Sequence, residues 1–143
     1  MTYAVVDMCT RTMTYARAGH CPLIYRQGGR RKAQIQAPDG LVLGLKIDKG
    51  ERFDSLLEEV TVPLGIGDVV LLFTDGVTDA MNAEGEPFGE DRLAALVEEL
   101  GDLPFEELRE RILREIRAFA GATALPDDLT FVLLKVDEVP ALA

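Results

Sequence analysis

The hydrophobic pattern of the chain changes period once, just after Asp75-Gly76, and that change restricts the fold more than any other feature of the sequence. Ahead of it, apolar residues alternate or come in short runs bounded by Gly, Pro, Asp and Thr, as strands joined by turns do. Thr2 to Met8 and Thr12 to Ala18 flank the polar Cys9-Thr10-Arg11, while Leu23 to Arg26 and Arg30 to Gln36 flank Gln27-Gly28-Gly29, so two hairpins are expected. Pro38-Asp39-Gly40 reads as a turn, Arg52 to Val62 as a further strand, and the apolar run Val69 to Phe73 as a central strand. Beyond the change, Leu93, Leu96, Val97 and Leu100 share one helical face, which predicts a helix from Gly89 to Leu100 that Gly101 ends. Phe105, Leu108, Ile112, Ile116 and Phe119 form a second stripe, opened by Pro104 and closed by Gly121. Leu129 to Val136 is strand-like again. The sequence thus predicts a single α+β domain over residues 1–143, mostly antiparallel sheet with two adjacent helices.

Charge narrows the function. Against 25 Asp and Glu stand 15 Lys and Arg, a formal net charge of -10, so most of the surface repels nucleic-acid backbones and anionic lipid. Neither nucleic acid nor a membrane is an expected partner. The same surplus favours Mg²⁺ or Mn²⁺ wherever carboxylates converge. Cys9 and Cys21 make no disulfide framework and no signal peptide is evident, which points to the reducing cytoplasm.

Two apolar runs each touch a carboxylate at one end. Asp75 follows Val69 to Phe73 with only Thr74 between, and Asp127-Asp128 immediately precede Leu129 to Val136. If the two strands are antiparallel neighbours, Asp75 and Asp127 lie at the same end of the sheet. Carboxylates gathered there repel one another unless a cation sits between them, and a hard divalent ion in that place could bind a phosphate ester or activate a water. Asp75-Gly76 and Pro126-Asp127-Asp128 are equally well explained as polar turns, where Asp bonds its own backbone.

The segment Gly67-Asp68-Val69-Val70-Leu71-Leu72-Phe73-Thr74-Asp75-Gly76-Val77-Thr78-Asp79-Ala80, with Phe88-Gly89 and Arg92-Leu93 after it, resembles the TDG region of metal-dependent protein phosphatases of type 2C, in particular their bacterial SpoIIE-like branch. Ala18-Gly19-His20-Cys21-Pro22-Leu23 is similar to that branch's AGH-x-P segment, Leu43-Gly44-Leu45 to its LGL turn, and Asp127-Asp128-Leu129-Thr130 to its closing DD-x-T motif. The resemblance implies an α/β sandwich that hydrolyses phosphoserine and phosphothreonine with two Mn²⁺ or Mg²⁺ ions and a metal-activated water. It implies Asp75, Asp127 and Asp128 as the metal set, with Gly76 contributing through its backbone. Asp79 is close enough to Asp75 to support it, although an exposed turn acid explains that residue equally well. The implied partner is a phosphoprotein of the anti-sigma-factor-antagonist type in a bacterial regulatory pathway.

One part of the family pattern is missing. The family domain opens with an acidic residue and a D-x-S-G-H-G segment, whose Asp bridges both metals, followed by two helices. This sequence contains no such segment, and Thr2 to Asp7 already correspond to the strand before the AGH motif. The resemblance therefore covers the C-terminal part of a phosphatase domain, and a noncatalytic binding module stands as the alternative reading. The absent neighbours predict an exposed sheet edge or face, a cost of several kcal/mol at about 25 cal/mol per Å² of apolar surface, and hence a homodimer. His20, the lone histidine, reads as a hydrogen-bonded structural residue rather than a metal or nucleophile partner of Cys9 and Cys21. Arg30-Arg31-Lys32, the one basic cluster, reads as a solvated hairpin edge that could also attract an acidic partner or phosphopeptide.

Overall fold

A computed structural model of the chain describes residues 1–45, 51–121 and 128–137. Seven strands and four helices follow in the order β1 (Thr2–Asp7), β2 (Thr12–Arg17), β3 (Leu23–Arg26), β4 (Ala33–Gln36), α1 (Glu51–Leu56), β5 (Glu59–Pro63), β6 (Val69–Phe73), α2 (Asp75–Thr78), α3 (Glu90–Leu100), α4 (Phe105–Ala120) and β7 (Phe131–Lys135). All strand pairs are antiparallel. They form a three-stranded sheet ordered β1-β2-β5 and a four-stranded sheet ordered β4-β3-β6-β7. The expected α+β architecture and both hairpins are present.

The layers follow from how each strand distributes its apolar residues. Val69, Leu71 and Phe73 of β6 point to the helices, joining Ile24, Leu93, Val97, Leu108, Ile112 and Ile116 in one core. The alternate residue Val70 faces the other sheet and packs with Met13, Tyr15, Leu23, Tyr25, Val62 and Leu64. Both faces of β6 are thus covered, which is why its sequence is continuously apolar rather than alternating. Open apolar surface remains on the three-stranded sheet. Tyr3 and Val5 pair with Ala16 and Thr14, on the face opposite Met13 and Tyr15, and are 63% and 46% exposed. On the four-stranded sheet β6 is covered on both faces, while β7 is an edge strand whose Val132 is 60% exposed.

A second correction concerns Arg52 to Val62, which is a short helix followed by a strand rather than one strand. Phe53, Leu56 and Leu57 are spaced at i, i+3 and i+4, a helical period, and the Leu57 N–H closes on the Phe53 carbonyl at 3.0 Å. Strand pairing begins only at Glu59, opposite Ala16.

Buried polar groups brace the turns away from the candidate site. Asp68, 2% exposed, accepts the Gly28 N–H at 2.6 Å and the Gly65 N–H at 2.8 Å, and its Oδ2 lies 2.8 Å from the Tyr25 hydroxyl. Arg26, on the helix side of β3, passes under the end of α3 and bonds Asp102 at 2.7 Å. A Cβ on Gly101 would fall 2.7 Å from Arg26 Cδ, so only glycine lets the guanidinium through.

Candidate functional site

The pairing of β6 with β7 sets the geometry. Phe73 lies opposite Phe131, so the C-terminal end of β6 and the N-terminal end of β7 meet at one end of the sheet. Beyond that pair the strands stay stitched: the Thr74 N–H donates to the Thr130 carbonyl at 3.0 Å, and the Thr74 hydroxyl lies 3.3 Å from the carbonyls of both Asp128 and Thr130. Asp75 then turns the chain into the single-turn helix α2, with its Oδ1 accepting the Gly76 N–H at 3.0 Å. Asp75 and Asp79 are exposed, Gly76 is buried, and Asp128 is exposed beside Thr74. Asp127 lies outside the described residues.

A cavity of about 390 Å³ opens at this sheet end, lined by Arg17, Gly19, His20, Cys21, Pro22, Thr74, Asp75 and Glu90. The AGH-type turn and the TDG-type strand end, far apart in sequence, therefore form two walls of one space. The turn is shaped by Gly19, whose φ is +59°, and a Cβ there would fall 2.2 Å from a methyl of Val42. Arg17, the last residue of β2, fastens it: Nη1 donates to the His20 carbonyl at 2.9 Å and Nε to the Pro38 carbonyl at 2.8 Å. Glu90 arrives from α3, whose start is held by Arg92, stacked 4.2 Å from the Phe119 ring centroid and 5.6 Å from that of Phe88.

Electrostatics disfavours a thiolate nucleophile. Burial pushes the Cys21 thiol above its ordinary pKa, and the negative charges of Asp75, Glu90 and Asp79 add to the shift. Asp75 and Glu90 bring hard oxygen donors to the cavity, the kind that Mg²⁺ and Mn²⁺ take. Among the described residues, however, no group of three His, Cys, Asp or Glu side chains converges closely enough to hold a metal. The donors fit such an ion in chemistry but do not complete a centre.

A sequence-family comparison decides what this arrangement belongs to. Residues 1–137 match the family model described as stage II sporulation protein E (SpoIIE). The chain belongs to the SpoIIE family. Over 137 residues it is 34% identical to the phosphoserine phosphatase RsbU of Bacillus subtilis, a match covering 94% of this chain and 38% of that protein. The fold is shared with the PP2C domain of SiaA from Pseudomonas aeruginosa, with a TM-score of 0.78 at 23% identity, over 95% of this chain and 51% of that one. It is shared also with the phosphatase domain of SpoIIE from Bacillus subtilis, with a TM-score of 0.65 at 16% identity, over 99% and 59%. The chain thus spans about two fifths of its curated relative and somewhat over half of these solved domains, which accords with a partial type 2C sandwich.

Two cavity residues, Arg17 and Glu90, do not stand out in the sequence. Each adjoins a motif that does, Arg17 just before Ala18-Gly19-His20 and Glu90 just after Phe88-Gly89. A charged residue placed directly against a turn motif was the available signal in both cases.

Proposed function

We propose that this chain is the C-terminal part of a metal-dependent protein serine/threonine phosphatase domain, with Asp75, Asp127 and Asp128 forming its share of the metal site. The observation that carries this reading is the β6–β7 register, which puts the end of one strand beside the start of the other. Gly76 contributes through its backbone, and Asp79, the C-cap of α2 whose N–H donates to the Asp75 carbonyl at 2.7 Å, supports Asp75 from nearby. A bound pair of Mg²⁺ or Mn²⁺ ions supplies a lowered water pKa and neutralises phosphoryl oxygens. The residues of this chain hold that pair from one side and wall the space where a phosphate ester enters. The donors still needed come from a D-x-S-G-H-G strand of the kind the family places ahead of this region.

The substrate is a phosphoprotein in a bacterial signalling pathway, of the anti-sigma-factor-antagonist type, met in the cytoplasm. RsbU supports the choice of phosphoserine. No helix among the described residues is long and apolar enough to cross a membrane. By itself the 143-residue chain pairs into a homodimer.

The test is hydrolysis of a phosphoserine peptide with Mn²⁺. The isolated chain should turn over little or none. Joined to a family D-x-S-G-H-G segment, it should hydrolyse the peptide and lose activity by roughly 100-fold or more in Asp75→Asn. A folded, joined domain that is inactive, or indifferent to Asp75→Asn, contradicts the reading.

A further inference from the structure

We propose that Arg17 is a substrate-binding residue that receives the phosphate group in the cavity beside Asp75. The inference rests on the phosphatase reading of that cavity and adds a residue to it.

Among the described residues lining the space, Arg17 is the one permanent cation, against the carboxylates of Asp75 and Glu90. Its guanidinium is held by backbone carbonyls only: Pro38 at 2.8 Å, His20 at 2.9 Å, and Ala37 at 3.5 Å through Nη2. No carboxylate of the described residues pairs with it. Of five N–H donors, three are directed at these carbonyls, which leaves one on each terminal nitrogen. Carbonyl partners fix the plane of the group without cancelling its charge. That is the preparation a planar donor needs to meet two oxygens of a phosphate monoester.

The surroundings give such a cation a use. A phosphate dianion entering this cavity meets Asp75 and Glu90 on a chain of net charge -10, and among the described lining residues Arg17 is the side chain that adds positive charge to whatever metal ions supply. The rival cations are worse placed. Arg26 and Arg31 line a different cavity of about 440 Å³, which they share with Glu98, Glu99 and Asp102, and Arg26 is already bonded to Asp102.

The experiment is a titration of the 143-residue chain with inorganic phosphate and with O-phosphoserine at constant ionic strength, followed by the Arg17 Nε–H resonance and the amides of Gly19, His20 and Thr74. All of these should shift together in the wild type. Arg17→Gln should weaken the affinity about tenfold or more, and Arg17→Lys, which keeps the charge but not the fork, by a smaller factor. Because Arg17 also fastens two loops, the wild-type Nε–H signal remains the deciding measurement if either variant fails to fold. An unmoved Arg17 signal, shifts centred on Arg26 and Arg31, or a folded Arg17→Gln with wild-type affinity overturns the proposal. Mn²⁺ broadening at Gly76, recorded on the same samples, separates the two readings. Its absence with phosphate still on Arg17 counts against the metal site alone, and its presence with Arg17 silent counts against this inference alone.

Discussion

Asp68 shows how much a single buried carboxylate can organise. Its two oxygens gather the Gly28 and Gly65 amides and the Tyr25 hydroxyl, tying the β3–β4 turn to the turn ahead of β6. Burial of Tyr25 and its bond to Asp68 push the phenol pKa far above the usual value of 10.0. The pH dependence follows from that sign. A group whose pKa is higher in the folded state contributes stability that is complete below its unfolded pKa and is lost as pH climbs from there toward the folded value. The chain should therefore lose thermal stability above about pH 10, on the alkaline side. Tyr25→Phe should cost about 2 kcal/mol near neutrality by removing a donor from a buried carboxylate, and should flatten part of the alkaline slope. Tyr15, raised chiefly by burial, and the Cys21 thiol, raised by burial and its acidic neighbours, keep the remainder. Thermal melts across pH provide the check, and an unchanged alkaline slope in Tyr25→Phe would contradict this account.

Helices α3 and α4 work as a pair because Phe88, Arg92 and Phe119 clasp them at one end, with the two rings meeting edge to face at 5.2 Å. The clasp sets where α3 starts and hence where Glu90 stands. Arg92→Ala should destabilise the domain by about 1 kcal/mol, through lost stacking and lost cover over the rings, and a denaturant midpoint equal to wild type would refute it. Strands and helices of this kind are legible in the sequence where one pattern is sustained, an unbroken apolar run in β6 and a helical period in α3 and α4. Legibility fails at 52–62, where Phe53, Leu56 and Leu57 have a helical spacing too short to separate from the strand that follows. The candidate site is legible to the same degree. Asp75 and the DD-x-T segment announce themselves by flanking apolar runs, and the β6–β7 pairing bears out the neighbouring strands this required. Arg17 and Glu90 reach the cavity from β2 and α3; each adjoins a turn motif, but the long-range packing that brings the two together is not written in either motif.

At the scale of the whole molecule, the helices, the four-stranded sheet and the three-stranded sheet stack as three layers, with β6 in the middle layer covered on both sides and Val132 of the edge strand β7 left in water. The outer face of the β1-β2-β5 sheet leaves Tyr3 and Val5 in water, and β1 is an unpaired edge among the described residues. Light scattering at micromolar concentration should report a dimer, and Val5→Lys should shift it toward monomer; a stable monomer that binds no hydrophobic dye would contradict the pairing. The account as a whole depends on Asp75 and the residues ahead of β7 acting on one metal. Sub-stoichiometric Mn²⁺ added to the 143-residue chain measures this directly through the amide resonances it broadens. The amides of Thr74, Gly76, Asp128 and Thr130 should broaden first, and Asp75→Asn should abolish the effect. Broadening centred on the acidic faces of α3 and α4, or unchanged in Asp75→Asn, would contradict the account.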